Sequence, residues 1–516
     1  MKLEDILHHK VTIRLDTLKS DRELVQQIQT QISYIDLYPG ENWLDGDYGH
    51  RTEDAIAKFC HIYSLNSLET GSFDQDFAQN LLSLNSSSES ISIQEKSPTD
   101  ETKSDDDLSL EKGRSIYQEF LKISEKGDAD YPALFYKGIK TSPYQEEIQE
   151  YPRRLLQKPD GKNVVSVNRD TSSFKPYPKR GELPEIDENS LDFLHEEITE
   201  ACICVGSLVG GKLQTKWLGR NALSNDEFWS STKIIPALYL ISQCNSKYPK
   251  LDIDYCSIRG VDSQKRSQNI PVSQLLQDLI SYDEKFTTSN SLGAMFKRFL
   301  PQPELEKWLQ NLTGNKSAIF QGRYGEEPFI NRPEIYDRIS KQVLLTCDKD
   351  EPEWKSNTLS AYDLVRVISN IGWHYYLSPA SRVPGAQWHS LESLVRALGN
   401  DPARLTDLAI EKLGLQDKIE SVVILSKLGN GITGIRKRAE AVYVALVQFV
   451  LLEDKAPAKA VSLAIAMRGA KCLEPRDYNQ EARELDARMA TEVTEIIRHA
   501  VTGGVWRPND VEESHN

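Results

Sequence analysis

The sequence predicts a multidomain protein. A small all-α module of three helices comes first, and an α+β domain follows, with an antiparallel sheet, flanking helices and an all-helical subdomain. Three observations predict this. Three apolar stripes at helical spacing fall within residues 21–84. Strand-like apolar runs lie at both ends of residues 188–505, with helical stretches between them. A Ser- and Asp-rich stretch separates the two parts and has too few apolar residues to fold.

A chain of 516 residues has room for roughly two to four domains. The net charge of −15 argues against a nucleic-acid-binding surface as the main business. The nine histidines are scattered without metal-ligand spacing, so no metal or other cofactor is expected. Seven cysteines, an odd number with no Cys-x-x-Cys pair, read as reduced buried thiols. The stretch from Met1 to Lys10 carries acids and histidines where a signal peptide needs an apolar run. The longest apolar run, Val442 to Leu452, is interrupted by Gln448 and too short for a membrane span. On these grounds alone a cytoplasmic location is expected.

In the first module, residues 1–84, Leu24, Val25, Ile28 and Ile32 form one stripe. Ala55, Ile56, Phe59 and Cys60 form the second, and Phe77, Ala78, Leu81 and Leu82 the third, with Asp74 as its N-cap. Between the first two lie Leu37-Tyr38-Pro39-Gly40 and the run Leu44 to Thr52. Its glycines, Gly46 and Gly49, punctuate a tight loop that hands over to a helix near Thr52. Residues 85–112 are expected to be a disordered linker. Residues 113–187 read as a connector lying on the next domain, with one helix around Ser115–Ser124 and extended, Pro-rich chain after Tyr151-Pro152.

The second domain, 188–505, opens with an expected helix (Leu191, Leu194, Ile198). A strand over Cys202–Val209, a hairpin turn at Gly210-Gly211 and a return strand over Leu213–Leu218 come next. Far downstream, Val422–Leu425 reads as a strand that ends in Lys427-Leu428-Gly429-Asn430-Gly431. Val442–Leu452 and Ala460–Met467 are two more strands, and a helix over about Asn479–Ala500 closes the chain.

The chemistry centres on Ser230-x-x-Lys233. A serine hydroxyl is a poor nucleophile near neutral pH and needs a neighbour to take its proton. Positions three apart on a helix share a face, which brings the Lys233 amine to the Ser230 side. Two other matches exist. Ser109–Lys112 closes an acidic run, and Ser172–Lys175 is followed by Pro176 and Pro178, which no helix tolerates. Only Ser230 leads into an apolar helical stretch (Ile234, Ile235, Leu238, Tyr239, Ile241).

Two resemblances follow from these residues. Asp45, Gly46, Tyr48, Gly49 and Thr52, echoed by Thr70 to Asp74, resemble the loop pattern of the peptidoglycan-binding-like domain. That resemblance implies peptidoglycan or a wall-derived peptide as partner, with Asp45 and Tyr48 as contacts. In the alternative, Gly46 and Gly49 only shape the loop and Tyr48 packs. The order of elements around Ser230 is similar to the serine β-lactamase and penicillin-binding DD-peptidase family.

That second resemblance implies Ser230 as nucleophile and Lys233 as its base. It implies Thr288 and Asn290 for the family's Ser-x-Asn, where reading Ser289-Asn290-Ser291 instead would lose the Asn. Lys427-Leu428-Gly429 stands for Lys-Thr-Gly: Lys427 would help lower the Lys233 pKa, Gly429 would let substrate lie on the strand, and Leu428 lacks the family's hydroxyl. The backbone N–H groups of Ser230 and Asn430 would form an oxyanion hole. Glu327, in Glu327-Pro328-Phe329-Ile330-Asn331, would activate the deacylating water. Trp373–Tyr376 and Gln387–His389 read as packing and loop anchors.

The function implied is an acyl-serine hydrolase acting on an amide. An esterase or amidase with another small substrate, or a binding protein on a degenerate fold, are the alternatives. The resemblance implies the cell envelope, against the location expected from the N-terminus. Oligomeric state is not legible.

Overall fold

The computed structural model describes the chain apart from residues 1, 10, 34–45, 47, 63–64, 84–104, 126–141, 157–163, 167–172, 210–211, 300, 348–352, 434–436, 453–456 and 503–516. Among the described residues no helix is long and apolar enough to cross a membrane.

The three N-terminal stripes become helices Arg22–Ser33, His50–Ile62 and Gln75–Ser83. Leu24, Ile28, Ile56, Phe59, Phe77 and Leu81 share one core, where Phe59 and Phe77 meet edge to face at 5.5 Å. Asp74 caps the third helix, its carboxylate accepting the Phe77 N–H at 3.2 Å. The unit is larger than three helices. Short helices Leu3–His9, Leu15–Ser20 and Ser67–Thr70 join it, and Ile13–Arg14 pairs antiparallel with Ser72–Phe73. The cause is apolar: Leu3, Ile6, Ile13 and Leu18 bury their side chains in the same core.

Of the expected linker, residues 85–104 lie outside the described residues, but its last part is helical. Helix α1 (Asp105–Ser124) starts at the acidic triplet Asp105-Asp106-Asp107. The connector also does more than expected. It adds helical turns Gln145–Glu150 and Tyr151–Leu156 and three short strands that pair with the main sheet.

The main sheet is built from β1 (Ile198–Val209), β2 (Lys212–Arg220), β3 (Ile419–Thr433), β4 (Arg438–Leu451) and β5 (Ala458–Lys471). Their order is β3-β4-β5-β1-β2, every neighbour antiparallel. The β1–β2 turn at Gly210-Gly211 lies outside the described residues. Side chains alternate between two cores, as the pleat requires. Cys202, Cys204, Val423 and Leu425 face one. Ile203, Val205, Ile424 and Leu428 face the other. On the first side lie α2 (Ile234–Lys247), α3 (Val272–Ser281), α4 (Ser289–Arg298) and α5 (Ala361–Gly372). On the second lies α6 (Tyr478–Thr502).

Two expectations are corrected. No helix forms over Leu191–Ile198; those residues make turns, and Ile198 opens β1. The Arg220 guanidinium explains it by donating to the carbonyls of Leu191, Asp192, Leu194, His195 and Ile198 at 2.7–3.2 Å. Acceptors that a helix would pair with its own N–H groups are taken by one side chain. The inserted subdomain is also not all-helical. It holds a four-stranded antiparallel sheet (Cys256–Val261, Ser267–Pro271, Glu334–Asp337, Gln342–Thr346). Asp262 closes its first hairpin by accepting the N–H groups of Gln264 and Arg266, and Ile258 pairs with Ile335 in its core.

Candidate active site

Ser230 lies on a 3₁₀ turn, Trp229–Lys233, that runs into α2. It is half-buried, and its hydroxyl has no hydrogen-bond partner among the described residues. The neighbouring hydroxyls are used locally, Ser231 donating to Phe228 O and Thr232 to Trp229 O. Lys233 is fully buried. Its amine donates to Ser289 Oγ at 3.0 Å and Asn290 Oδ1 at 2.7 Å, and not to Ser230. The expected Ser230–Lys233 contact is therefore not closed here, because residues at the head of α4 capture the amine.

Ser289 is the residue that sequence reasoning passed over in favour of its neighbours. It is buried, and its hydroxyl also donates to Leu279 O at 2.7 Å, tying α4 to α3. Thr288 caps α4 through the Ser291 N–H at 3.2 Å and donates its hydroxyl to Glu326. Asn290 Nδ2 donates to the same carboxylate at 3.3 Å. Thr288, Asn290 and Lys233 thus meet at one place.

Lys427 enters from β3 on the side of that meeting point. It is fully buried, 3.8 Å from the Tyr282 ring centre and 3.7 Å from Asp401 Oδ1. At 3.7 Å the Asp401 contact is an ion pair without a hydrogen bond. Burial outweighs that attraction and pulls the Lys427 pKa down to about 7. Lys233 sits 5.4 Å from the rings of both Tyr282 and Tyr324. Burial first, then the Lys427 charge, hold its pKa well below the ordinary lysine range, against the pull of Glu326 and Glu284. Tyr282 thereby stands between the two amines. Its left-handed backbone (φ +57°) ends α3, a conformation that no motif signalled.

Gly429 is where β3 and the 3₁₀ turn touch. A Cβ there would stand 2.9 Å from Phe228 O and Ser231 N, and 3.1 Å from Ser230 N, so only glycine lets the two backbones approach. β3 is an edge of the sheet. Leu428 N–H points off that edge, donating to Asp401 at 3.2 Å. Alternation along an antiparallel strand directs the Asn430 N–H to the same edge. The Leu428 side chain lies on the opposite face, in the core shared with α6. It presents neither a hydroxyl nor a methyl group at the Lys427 side.

The Glu327 carboxylate is not part of this gathering. It is exposed and pairs with Arg323 on the surface, while only its backbone carbonyl reaches inward, to the Ser291 hydroxyl at 2.8 Å. The preceding residue, Glu326, supplies the carboxylate at Thr288 and Asn290. The adjacent acids in Gly325-Glu326-Glu327-Pro328 were a signal for a carboxylate but not for which one turns inward. Asp401, buried and accepting from Ser426 Oγ and Leu428 N–H, had no sequence signal at all.

In the N-terminal unit, Asp45 lies outside the described residues. Gly46 has φ +73° and donates its N–H to Gln29 Oε1 at 2.8 Å. Gln29 in turn donates to Thr52 at 3.1 Å, so the loop pattern folds onto its own core. The Tyr48 ring packs against that core under the Lys19 amine, 4.9 Å away. Its hydroxyl is buried without a partner, and burial raises its pKa to about 12. The tyrosine therefore packs in the unit.

No family model matches the chain, and no curated protein matches it by sequence. Among solved structures, a beta-lactamase from Xanthomonas campestris pv. campestris shares 13% identity at a TM-score of 0.34, over 60% of this chain and 96% of the other. An ancestral class A beta-lactamase shares 12% at 0.35, over 60% and 99%. A beta-lactamase from Desulfarculus baarsii shares 15% at 0.34, over 60% and 96%. With TM-scores below 0.5, none of these likenesses decides the chemistry of this chain.

Proposed function

We propose that residues 188–505 form a serine hydrolase of the β-lactamase/DD-peptidase type that cleaves an amide through an acyl-serine. The observation that carries this is the convergence of two buried amines of lowered pKa, Lys233 and Lys427, with Asn290, beside the β3 edge strand and the Ser230 hydroxyl, which has no hydrogen-bond partner among the described residues. A lysine amine whose pKa is lowered from its ordinary value is a more competent general base near neutral pH.

Ser230 Oγ attacks the carbonyl carbon and its proton passes to the Lys233 amine. The oxyanion is met by the Ser230 and Asn430 N–H groups. The C–N bond breaks as Thr288 hands a proton to the leaving nitrogen, resupplied from Lys233. Glu326 takes a proton from a water whose oxygen attacks the ester carbon; the C–O bond to Ser230 then breaks, and the proton passes from Glu326 to Ser230 Oγ, which restores both groups. The Lys233 amine turns from Ser289 toward Ser230 when substrate enters, since catalytic hydrogen bonds are often open without substrate. Residues 1–84 act as a docking module for wall material, which raises the local concentration of wall peptide at Ser230.

A second reading, an esterase or amidase acting on another small acyl substrate, is favoured by Leu428, whose side chain is buried in the far core and offers nothing to a substrate carboxylate. The two separate on incubation with a fluorescent penicillin and with a small acyl ester, with Ser230→Ala as control. A covalent penicillin adduct that turns over and vanishes in Ser230→Ala supports the first. Ester hydrolysis alone, lost in Ser230→Ala, supports the second. Inertness toward both refutes the hydrolase.

A further inference from the structure

We propose that Trp229 is a positioning residue for the nucleophile, locked in place by a buried charge network; this rests on the serine-hydrolase reading above. Trp229 precedes Ser230 and has φ +48°, a left-handed conformation that is an outlier for a bulky side chain. Glycine would adopt it without strain, so a tryptophan there implies a use for its side chain.

Two contacts show the use. The indole ring lies on Gly431 of β3, where a Cβ would stand 2.5 Å from it. Its Nε1–H donates to Glu440 Oε2 at 2.9 Å. Glu440 is itself fixed: it is buried on β4, and Arg468 of β5 donates to its other oxygen at 3.0 Å. Arg468 is fully buried and also binds Glu200 of β1 and Asp226, the latter at 3.0 Å. Asp226 belongs to the loop that enters the 3₁₀ turn, and its backbone pairs with Leu359. Three adjacent strands and the entering loop thus converge on one indole N–H.

That network sets the backbone angle immediately before Ser230. The attacking oxygen must stand between the lysine amines and the β3 edge, and a change in φ one residue upstream would swing it away. Misplacement of a reacting atom by about 1 Å can cost roughly a hundredfold in rate. The indole anchor is therefore a determinant of where Ser230 Oγ stands, acting through the backbone and without touching substrate.

The test uses Trp229→Phe in the full chain. This keeps an aromatic ring on Gly431 and leaves the Glu440–Arg468 pair whole, but removes the N–H. Acylation of Ser230 by the reagent that labels the wild type is followed by stopped flow, together with KM and thermal melting. The expected result is an acylation rate at least tenfold lower, KM within twofold, and a melting temperature close to wild type. An unchanged rate overturns the proposal. A parallel pair, Ser230→Cys with and without Trp229→Phe, is alkylated with iodoacetamide and mapped by peptide mass. Labelling at position 230 is expected to slow at least fivefold when the anchor is lost, because the thiol leaves the Lys233 amine that accepts its proton. Equal labelling overturns the positioning role. If the wild type acylates with nothing, the hydrolase reading fails alone and the cysteine pair still decides this one.

Discussion

Replacing Lys427 by Met should stabilise the protein while disabling it. The buried amine has a pKa near 7 against 10.5 in water, and each tenfold is about 1.4 kcal/mol. Keeping it charged inside the fold therefore costs about 5 kcal/mol. The sign follows from linkage. Below pH 7 both folded and unfolded states carry the proton, and the cost is fully present. Between pH 7 and 10.5 the folded state has released it while the unfolded state has not, so the cost falls as pH rises. Above 10.5 it is gone. Methionine matches the volume without the charge, but forfeits the contact with the Tyr282 ring, worth about 1–2 kcal/mol when desolvated. The expected gain is about 3 kcal/mol at pH 6 and close to zero at pH 10. Urea unfolding followed by fluorescence of the buried Trp217 and Trp373 measures it. A loss of stability at pH 6, or a gain independent of pH, would refute the electrostatic reasoning. Acylation by the same variant should show its acid limb at higher pH, because the Lys427 charge is one of the two causes that lower the Lys233 pKa.

Glu326→Gln should slow deacylation at least a hundredfold, so that the acyl-enzyme accumulates in intact-mass spectra, and should move the acid limb of acylation to lower pH because the Glu326 charge raises the Lys233 pKa, while Glu327→Gln, at an exposed surface pair, should turn over as wild type. Arg220→Leu should cost about 3 kcal/mol or more, read as a fall in melting temperature, since it strands carbonyls that the guanidinium now satisfies. Tyr48→Phe should leave the N-terminal unit as stable or raise its stability by about 1 kcal/mol in chemical denaturation, because the lost hydroxyl is buried without a partner; a clear destabilisation would mean the hydroxyl has a role the packing does not reveal.

Features with a period were legible in the sequence. The stripes at Leu24–Ile32, Ala55–Cys60 and Phe77–Leu82 became helices, and the apolar runs at both ends of the second domain became one sheet. Period explains why Lys427 and Leu428 part to opposite faces, a consequence that a comparison of motifs alone does not expose. What had no period was not legible. Whether Glu326 or Glu327 turns inward depends on the path of a single loop. Leu191 and Leu194 carry helical spacing, yet one arginine from β2 takes their carbonyls. Ser289, Tyr282 and Asp401 entered the site because the fold buries them there, as contacts between segments far apart in the chain. The acidic run at Asp105–Asp107 read as disorder from composition, yet it opens a helix.

If Ser230 is a nucleophile worked by Lys233, a quenched time course of wild type and Lys233→Met with an acylating reagent, each mapped by peptide mass, reads it out. One acyl group is expected on the peptide containing Ser230 in the wild type, and at least a thousandfold slower acylation in Lys233→Met with the fold retained. Acyl mass on another residue, or equal labelling of Ser230 in both proteins, would contradict it.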